Sequence, residues 1–209
     1  MLIALPLFEG ITALDAIGPY EVLSRLPGAT VRFVAPEPGP MRTERGDLAL
    51  VADAALGDVP ECDVVLVPGG PGQAVGGRDP RLLAWLRQVD RGTTFTTSVC
   101  TGSLVLGAAG LLQGRRATTH WLSTHLLAEH GAVFEDARVV VDGRLVTAAG
   151  VSAGIDMALT LAALIAGEQV AQAIQLSIEY DPQPPFAAGS VHTAPADVVE
   201  LVRAVAARR

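Results

Sequence analysis

The chain has no lysine, no asparagine and only two cysteines, Cys62 and Cys100. Without lysine, Schiff-base aldolase and pyridoxal-phosphate chemistry are excluded, because both need a side-chain amine. The missing asparagine removes the usual third member of a papain-like cysteine site, although aspartate or glutamate can stand in for it. Two cysteines are too few for a disulfide scaffold, and a reducing cytosol keeps such thiols free. No apolar run approaches membrane-spanning length, so no membrane anchor is expected. Positive charge is also sparse. The net charge is −7, and arginine doublets occur only at Arg115/Arg116 and Arg208/Arg209. Nucleic-acid binding needs a basic stripe, which these positions do not form. The opening MLIALPLFEGITALD lacks a basic leader and reads as a first strand, so a cytoplasmic protein without a signal peptide is expected.

Half of the 209 residues are apolar, enough for one domain over residues 1–209 with a substantial core. Strand and helix patterns alternate along the chain, which predicts an α/β fold with a mostly parallel sheet and helices on both faces. Residues 2–8 and 30–35 read as strands around a helix over 15–26. The polar excursion at 36–47 leads into a short hairpin at Met41 and residues 48–51. CDVVLV at 62–67 is a continuous apolar run, the pattern of a strand buried on both faces. An amphipathic helix at 79–90 precedes a strand running into Cys100, and a helix follows to Leu112. Beyond it come a short strand at 115–119, a helix at 121–130 and a hairpin at 139–141 and 145–147. Helices at 152–166, 168–180 and 196–208 complete the pattern, with a proline-rich extended stretch at 181–190.

TTFTTSVCTGSLVLGAAGLL at 93–112 carries the strongest chemical signal, an apolar strand that turns at Cys100 straight into a helix. This is the layout of a nucleophile elbow, with Gly102 and Ser103 small enough for a sharp turn. A cysteine there is expected to have a depressed pKa, because the helix N-terminus favours thiolate. The competing expectation is a buried, inert thiol. Sites in open α/β sheets lie beyond the carboxyl ends of the strands. Three segments end strands in this way: EGITALD, PGGPG at 68–72, and CTG at 100–102. PGGPG lacks the spacing of a nucleotide-binding loop, so the Gly70 N–H, with that of Thr101, is assigned as an anion hole beside Cys100.

Asp15 sits where a helix begins and is an N-cap by default. Its other reading is a carboxyl held near the sulfur, with a pKa raised by burial. Glu21 reads as solvated or structural. His120, His125 and His130 recur every five residues and do not share a helix face, and no HExxH or CxxC spacing occurs, so no metal site is expected. His120, directly after a predicted strand, is within reach of the pocket.

Together, LDAIGPYEVL at 14–23, VPGGPG at 67–72, SVCTGSLVLGAAGLLQGRRATTHW at 98–121, GVSAGIDMALTLAA at 150–163 and IEYDPQPPFAAGS at 178–190 resemble the ThiJ/PfpI superfamily. Within it they are most similar to the isocyanide hydratases. The resemblance implies a flavodoxin-like three-layer α/β sandwich with a class I glutamine amidotransferase-like core, a homodimer and no cofactor. It implies that Cys100 is the nucleophile and that Asp15, the aspartate of the LD-x-x-GP motif, is the acidic partner. Thr101 stands where peptidases of the superfamily have histidine, which speaks against proteolysis. Relatives with a second helix-turn-helix domain act as regulators, and the chain stops at Arg209, too early for one. The implied reaction adds water to a small-molecule isocyanide through a cysteine thioimidate, giving an N-substituted formamide. Gly150, Val151 and Ser152 are then candidates for the pocket wall. The alternatives are a glyoxalase-like enzyme acting on α-oxoaldehydes and a cysteine redox sensor without a substrate.

Overall fold

A computed structural model describes residues 1–207. The first half of the chain runs β1 (Leu2–Pro6), α1 (Ala13–Leu23), β2 (Thr30–Ala35), β3 (Gly39–Arg42), β4 (Ala49–Ala52), β5 (Ala54–Ala55) and β6 (Val64–Val67). It continues through α2 (Gln73–Gly76), α3 (Pro80–Asp90), β7 (Phe95–Val99), α4 (Gly102–Ala108) and β8 (Arg116–Ala117). A 3₁₀ segment (Trp121–His130) leads to β9 (Val133–Phe134), β10 (Val139–Asp142), β11 (Leu145–Ala148), α5 (Ala153–Ala166), α6 (Glu168–Ser177) and α7 (Ala196–Ala206).

Seven strands form the main sheet in the order β10-β11-β7-β6-β1-β2-β5. All neighbours are parallel except the β10–β11 hairpin. β6 lies near the middle because all four of its residues are apolar and buried, so it tolerates cover on both faces. Helix α5 packs on α1 and α6, while α4 packs on α2, α3 and the 3₁₀ segment. This is the flavodoxin-like α/β sandwich expected from the sequence. From β1 the order runs one way to β2 and β5 and the other way to β6, β7 and β11. Such a reversal, here between β1 and β6, is where the sites of open α/β sheets lie, beyond the strands' carboxyl ends.

Apart from shifts at element ends and the short β5, α2 and β9, which the sequence pattern does not show, two elements differ from it. Helix α4 stops at Ala108, and Gly110 follows at φ 81, the left-handed conformation that commonly closes a helix. Residues 121–130 form 3₁₀ rather than α structure. Only Leu127 of that segment is buried, so no continuous apolar face is available to reward α geometry.

Residues Met1–Ile178 form one compact unit, and a second begins at Glu179. No linker in the sequence marks that division. The second unit contains the proline-rich stretch and α7, none of whose residues is buried. Arg208, the last residue of the expected helix, lies outside the described residues. No helix among the described residues is long and apolar enough to cross a membrane.

Candidate active site

Cys100 joins β7 to α4 at φ 57 and is 5% exposed. The left-handed conformation is unfavourable for a residue with a side chain, and four hydrogen bonds hold it. The Cys100 N–H donates to the carbonyls of Ala148 (3.1 Å) and Ala149 (2.9 Å). Its carbonyl accepts from Ser103 Oγ at 3.2 Å and Thr119 Oγ1 at 3.0 Å. The elbow is seated against the end of β6, where a Cβ on Gly102 would lie 2.1 Å from the Val67 carbonyl oxygen. Glycine at 102 is therefore a requirement of the close approach as well as of the turn.

Helix α1 begins at Ala13 with Thr12 as its N-cap, so Asp15 lies inside the first turn and is not the cap. This corrects the default expectation, because the helix starts two residues earlier than the sequence pattern shows. The turn carries Asp15 inward, where it is fully buried. Its Oδ2 accepts from the Gly69 N–H at 2.9 Å, and its Oδ1 is buried without a regular hydrogen-bond partner. Loops after β1 and β6 interlock around it: the Thr12 N–H donates to the Gly69 carbonyl (2.9 Å), and the Gly72 N–H donates to the Gly10 carbonyl (3.0 Å). Burial raises the Asp15 carboxyl to about 7, against the lowering effects of the Gly69 N–H and the Cys100 thiol. The charge of Glu44 adds to the rise.

Burial likewise pushes the Cys100 thiol up to about 12, and the Asp15 charge adds to the effect. The backbone N–H groups of Val151 and Thr101 act on the sulfur in the opposite direction. The expectation of a depressed thiol pKa is thus corrected: loss of water outweighs the field of the short helix α4. The two groups form a coupled pair, and one proton shared between them gives either thiol with carboxylate or thiolate with carboxylic acid. The lower value of the carboxyl makes the first arrangement the more populated one, and the two N–H groups at the sulfur lower the cost of reaching the second.

The remaining sequence candidates divide. Thr101 stays next to the sulfur through its N–H, and its Oγ1 accepts from the Gly70 N–H at 2.9 Å. The Gly70 N–H is therefore engaged, which corrects its assignment to an anion hole. Gly70 adopts φ 126, and a Cβ there would lie 2.5 Å from the Thr12 nitrogen, so its glycine serves loop packing. Val151, at φ 28, is more than pocket wall, because its N–H supplies a donor to the sulfur. Ser152 Oγ accepts from Arg138 Nη2 at 3.2 Å, and Arg138 Nε donates to Asp156 Oδ2 at 2.6 Å, fastening the turn that carries Val151. His120 packs on Gly150, where a Cβ would lie 2.7 Å from its ring. Its Nδ1 accepts from the Leu122 N–H at 3.3 Å, and burial lowers its pKa. The side chain acting on the sulfur is Asp15, not His120.

Glu44 had no signal of its own in the sequence, because the polar excursion carrying it reads as a solvated turn. A cleft of about 470 Å³ lined by Leu2, Thr30, Arg32, Ala54 and Asp63 opens at the amino ends of β1 and β2. It lies at the opposite end of the strands from Cys100 and contains none of this chemistry.

The strand ends thus define a buried cysteine–carboxyl site at the switch point of a flavodoxin-like α/β sheet. The chain belongs to the DJ-1/PfpI family, whose sequence model matches residues 1–164. It is 47% identical over 201 residues to the isonitrile hydratase of Pseudomonas putida, covering 96% of this chain and 88% of that protein. Another relative is the HTH-type transcriptional regulator CdhR of Pseudomonas aeruginosa, 33% identical over 84% of this chain and 52% of its own length. Among solved structures, a THiJ/PfpI family protein from Pseudomonas syringae matches with a TM-score of 0.94 and 40% identity, covering 98% of this chain and 86% of that one.

Proposed function

We propose that this protein is a cofactor-independent isocyanide hydratase, a lyase that converts a small-molecule isocyanide and water to an N-substituted formamide. The observation that carries the reading is the buried pair of Asp15 and Cys100, raised to about 7 and about 12 by the same burial. The isonitrile hydratase of P. putida, similar over nearly the whole chain, supports it.

An isocyanide presents a terminal carbon that accepts a nucleophile and then a proton. In the thiolate–acid form of the pair, Cys100 attacks that carbon and Asp15 donates its proton to it. A C–S bond forms, giving a neutral thioimidate and an Asp15 carboxylate. The carboxylate takes a proton from water as the hydroxide adds to the same carbon, then passes that proton to the substrate nitrogen. Collapse breaks the C–S bond, forms the formamide carbonyl, returns the hydroxyl proton to Asp15 and releases the thiolate. Val151 and Thr101 N–H groups stabilise the sulfur's charge at both ends of the cycle. Gly150, Ser152 and His120 shape the wall, and the Gly70–Thr101 hydrogen bond holds Thr101 in place. The protein acts as a homodimer in the cytoplasm, without a nucleic-acid or membrane partner.

The test is incubation of the purified protein with an aryl isocyanide and, separately, with methylglyoxal. Formamide is expected from the first, with a thioimidate adduct on the Cys100 peptide by mass spectrometry after rapid quenching. Cys100→Ala and Asp15→Asn should each lose most of the activity. Lactate from methylglyoxal without formamide from the isocyanide would overturn the reading in favour of glyoxalase chemistry.

A further inference from the structure

The carbonyl of Cys100 accepts from two hydroxyls of different origin. Ser103 Oγ, at 3.2 Å, belongs to the first turn of α4, a local contact three residues along the chain. Thr119 Oγ1, at 3.0 Å, comes from the segment after β8, 19 positions away. The first turn of α4 directs its own donor elsewhere, because the Leu104 N–H donates to the Thr101 carbonyl at 3.0 Å. Thr119 is 2% exposed, and its segment is anchored to the same strand that holds the Cys100 N–H. The Thr118 N–H donates to Thr147 Oγ1 on β11 at 2.9 Å, and the Cys100 N–H donates to the carbonyls of Ala148, the last residue of β11, and Ala149. Thr147 and Ala148 in turn pair in register with Ser98 and Val99 of β7. Cys100 is therefore held through its N–H and its carbonyl by groups that β11 carries or anchors.

A peptide group is planar and trans, and no cis bond occurs among the described residues, so the Cys100 carbonyl and the Thr101 N–H lie on opposite edges of one rigid plane. Fixing the carbonyl fixes the direction of the N–H. That N–H is one of the two that act on the sulfur. At φ 57 the Cys100 backbone is in an unfavourable conformation, so the orientation of this plane needs support from outside the elbow. We propose that Thr119 is a positioning residue, whose hydroxyl holds the Cys100 carbonyl so that the Thr101 N–H points at the sulfur and stabilises its thiolate. Thr119 touches no reacting atom and acts through the peptide between residues 100 and 101. Its effect on the sulfur is independent of the substrate, while its effect on turnover rests on the isocyanide reading.

The experiment compares Thr119→Val, which keeps the shape of the side chain but loses the hydroxyl, with Thr119→Ser, which keeps the hydroxyl. Iodoacetamide alkylates a thiolate, forming a C–S bond as iodide leaves, and the modified Cys100 and Cys62 peptides are quantified separately by mass spectrometry at one pH. In Thr119→Val the Cys100 rate is expected to fall about three- to tenfold, the equivalent of one ordinary hydrogen bond, with the Cys62 rate unchanged. For an aryl isocyanide, kcat should fall by a similar factor with KM unchanged, and Thr119→Ser should restore both the alkylation rate and kcat. A packing role alone would loosen the fold and speed alkylation of both cysteines, since both are buried. Either that outcome or an unchanged Cys100 rate and kcat would overturn the assignment. If Thr119→Val does not fold, Thr119→Ala is read in the same way. If the parent protein does not turn over the isocyanide, the hydratase reading fails, and the alkylation rates alone decide the role of Thr119.

Discussion

The Gly69 N–H donates to Asp15 Oδ2 at 2.9 Å, joining residues 54 positions apart. One carboxylate oxygen is thereby fixed to the loop after β6, and the buried Oδ1, which has no regular partner, is the oxygen that the proposed proton exchange would use. The bond favours the ionised carboxyl, so the Asp15 pKa of about 7 is a balance between this donor and burial. Catalysis that needs one group to act as both acid and base is served best by such a value near neutrality.

The pH profile should report the pair rather than Asp15 alone. Below about 7 both groups are protonated and the sulfur is a thiol. Above it the pair holds one proton, mostly on the sulfur, with the reactive thiolate–acid arrangement a constant minor fraction. We therefore expect kcat/KM to rise about tenfold per pH unit up to neutrality and to level off above it. Measurement from pH 5.5 to 9 checks this. A profile that falls above 7 would mean that the thiolate forms independently and that the loss of the Asp15 proton is what limits the rate.

Stability should show the opposite dependence. Asp15 has an ordinary value of 3.8 and is raised to about 7 by folding, so the folded protein holds this proton more tightly than the unfolded chain. Its contribution is fully present below 3.8 and is lost as pH rises to about 7. Asparagine keeps an acceptor for the Gly69 N–H and has no charge to bury. The melting temperature of Asp15→Asn relative to the parent should rise between pH 5 and pH 8, by on the order of 2–3 kcal/mol or about 5–10 °C. Calorimetry at the two pH values decides it, and an equal offset at both would refute the burial argument.

Gly102→Ala is expected to damage the fold as well as the site. The added carbon would lie 2.1 Å from the Val67 carbonyl oxygen and 2.8 Å from that of Pro68, both backbone atoms that cannot rotate away. Overpacking costs typically about 1–3 kcal/mol, and here β6 or the elbow must move. The variant should unfold at lower denaturant and lose activity together. Retained activity with normal stability would show that the β6 end yields more readily than its central position implies.

Ser98→Ala should go the other way. Ser98 is fully buried on β7 two residues before Cys100, and its hydroxyl has no partner. A buried hydroxyl left unsatisfied costs about 1–3 kcal/mol, so its removal is expected to be neutral or to raise stability by about 1 kcal/mol. Urea unfolding of the two proteins is sufficient, and a clear loss of stability would contradict the expectation.

The periodic apolar runs were enough to read most of the fold. The central strand at 64–67, the hairpin at 139–148 and the helices flanking them follow from local patterns that one chain segment can express. The elbow at Cys100 was legible for the same reason, since a strand and a helix meet there without a linker. Asp15 was legible only through resemblance, because a local reading makes an aspartate near a helix start a cap.

What sequence alone determined is which residues stand at the strand ends: Asp15 after β1, Gly69 and Gly70 after β6, Cys100 after β7 and Val151 after β11. Tertiary structure decided what each does there. It gave the Gly70 N–H to Thr101, gave the sulfur a donor from Val151, and raised the thiol pKa where the local helix predicted a fall. Hydrogen bonding and desolvation depend on distances between segments far apart in the chain. The order of residues fixes the candidates, and only packing assigns each donor its acceptor and each charge its loss of water.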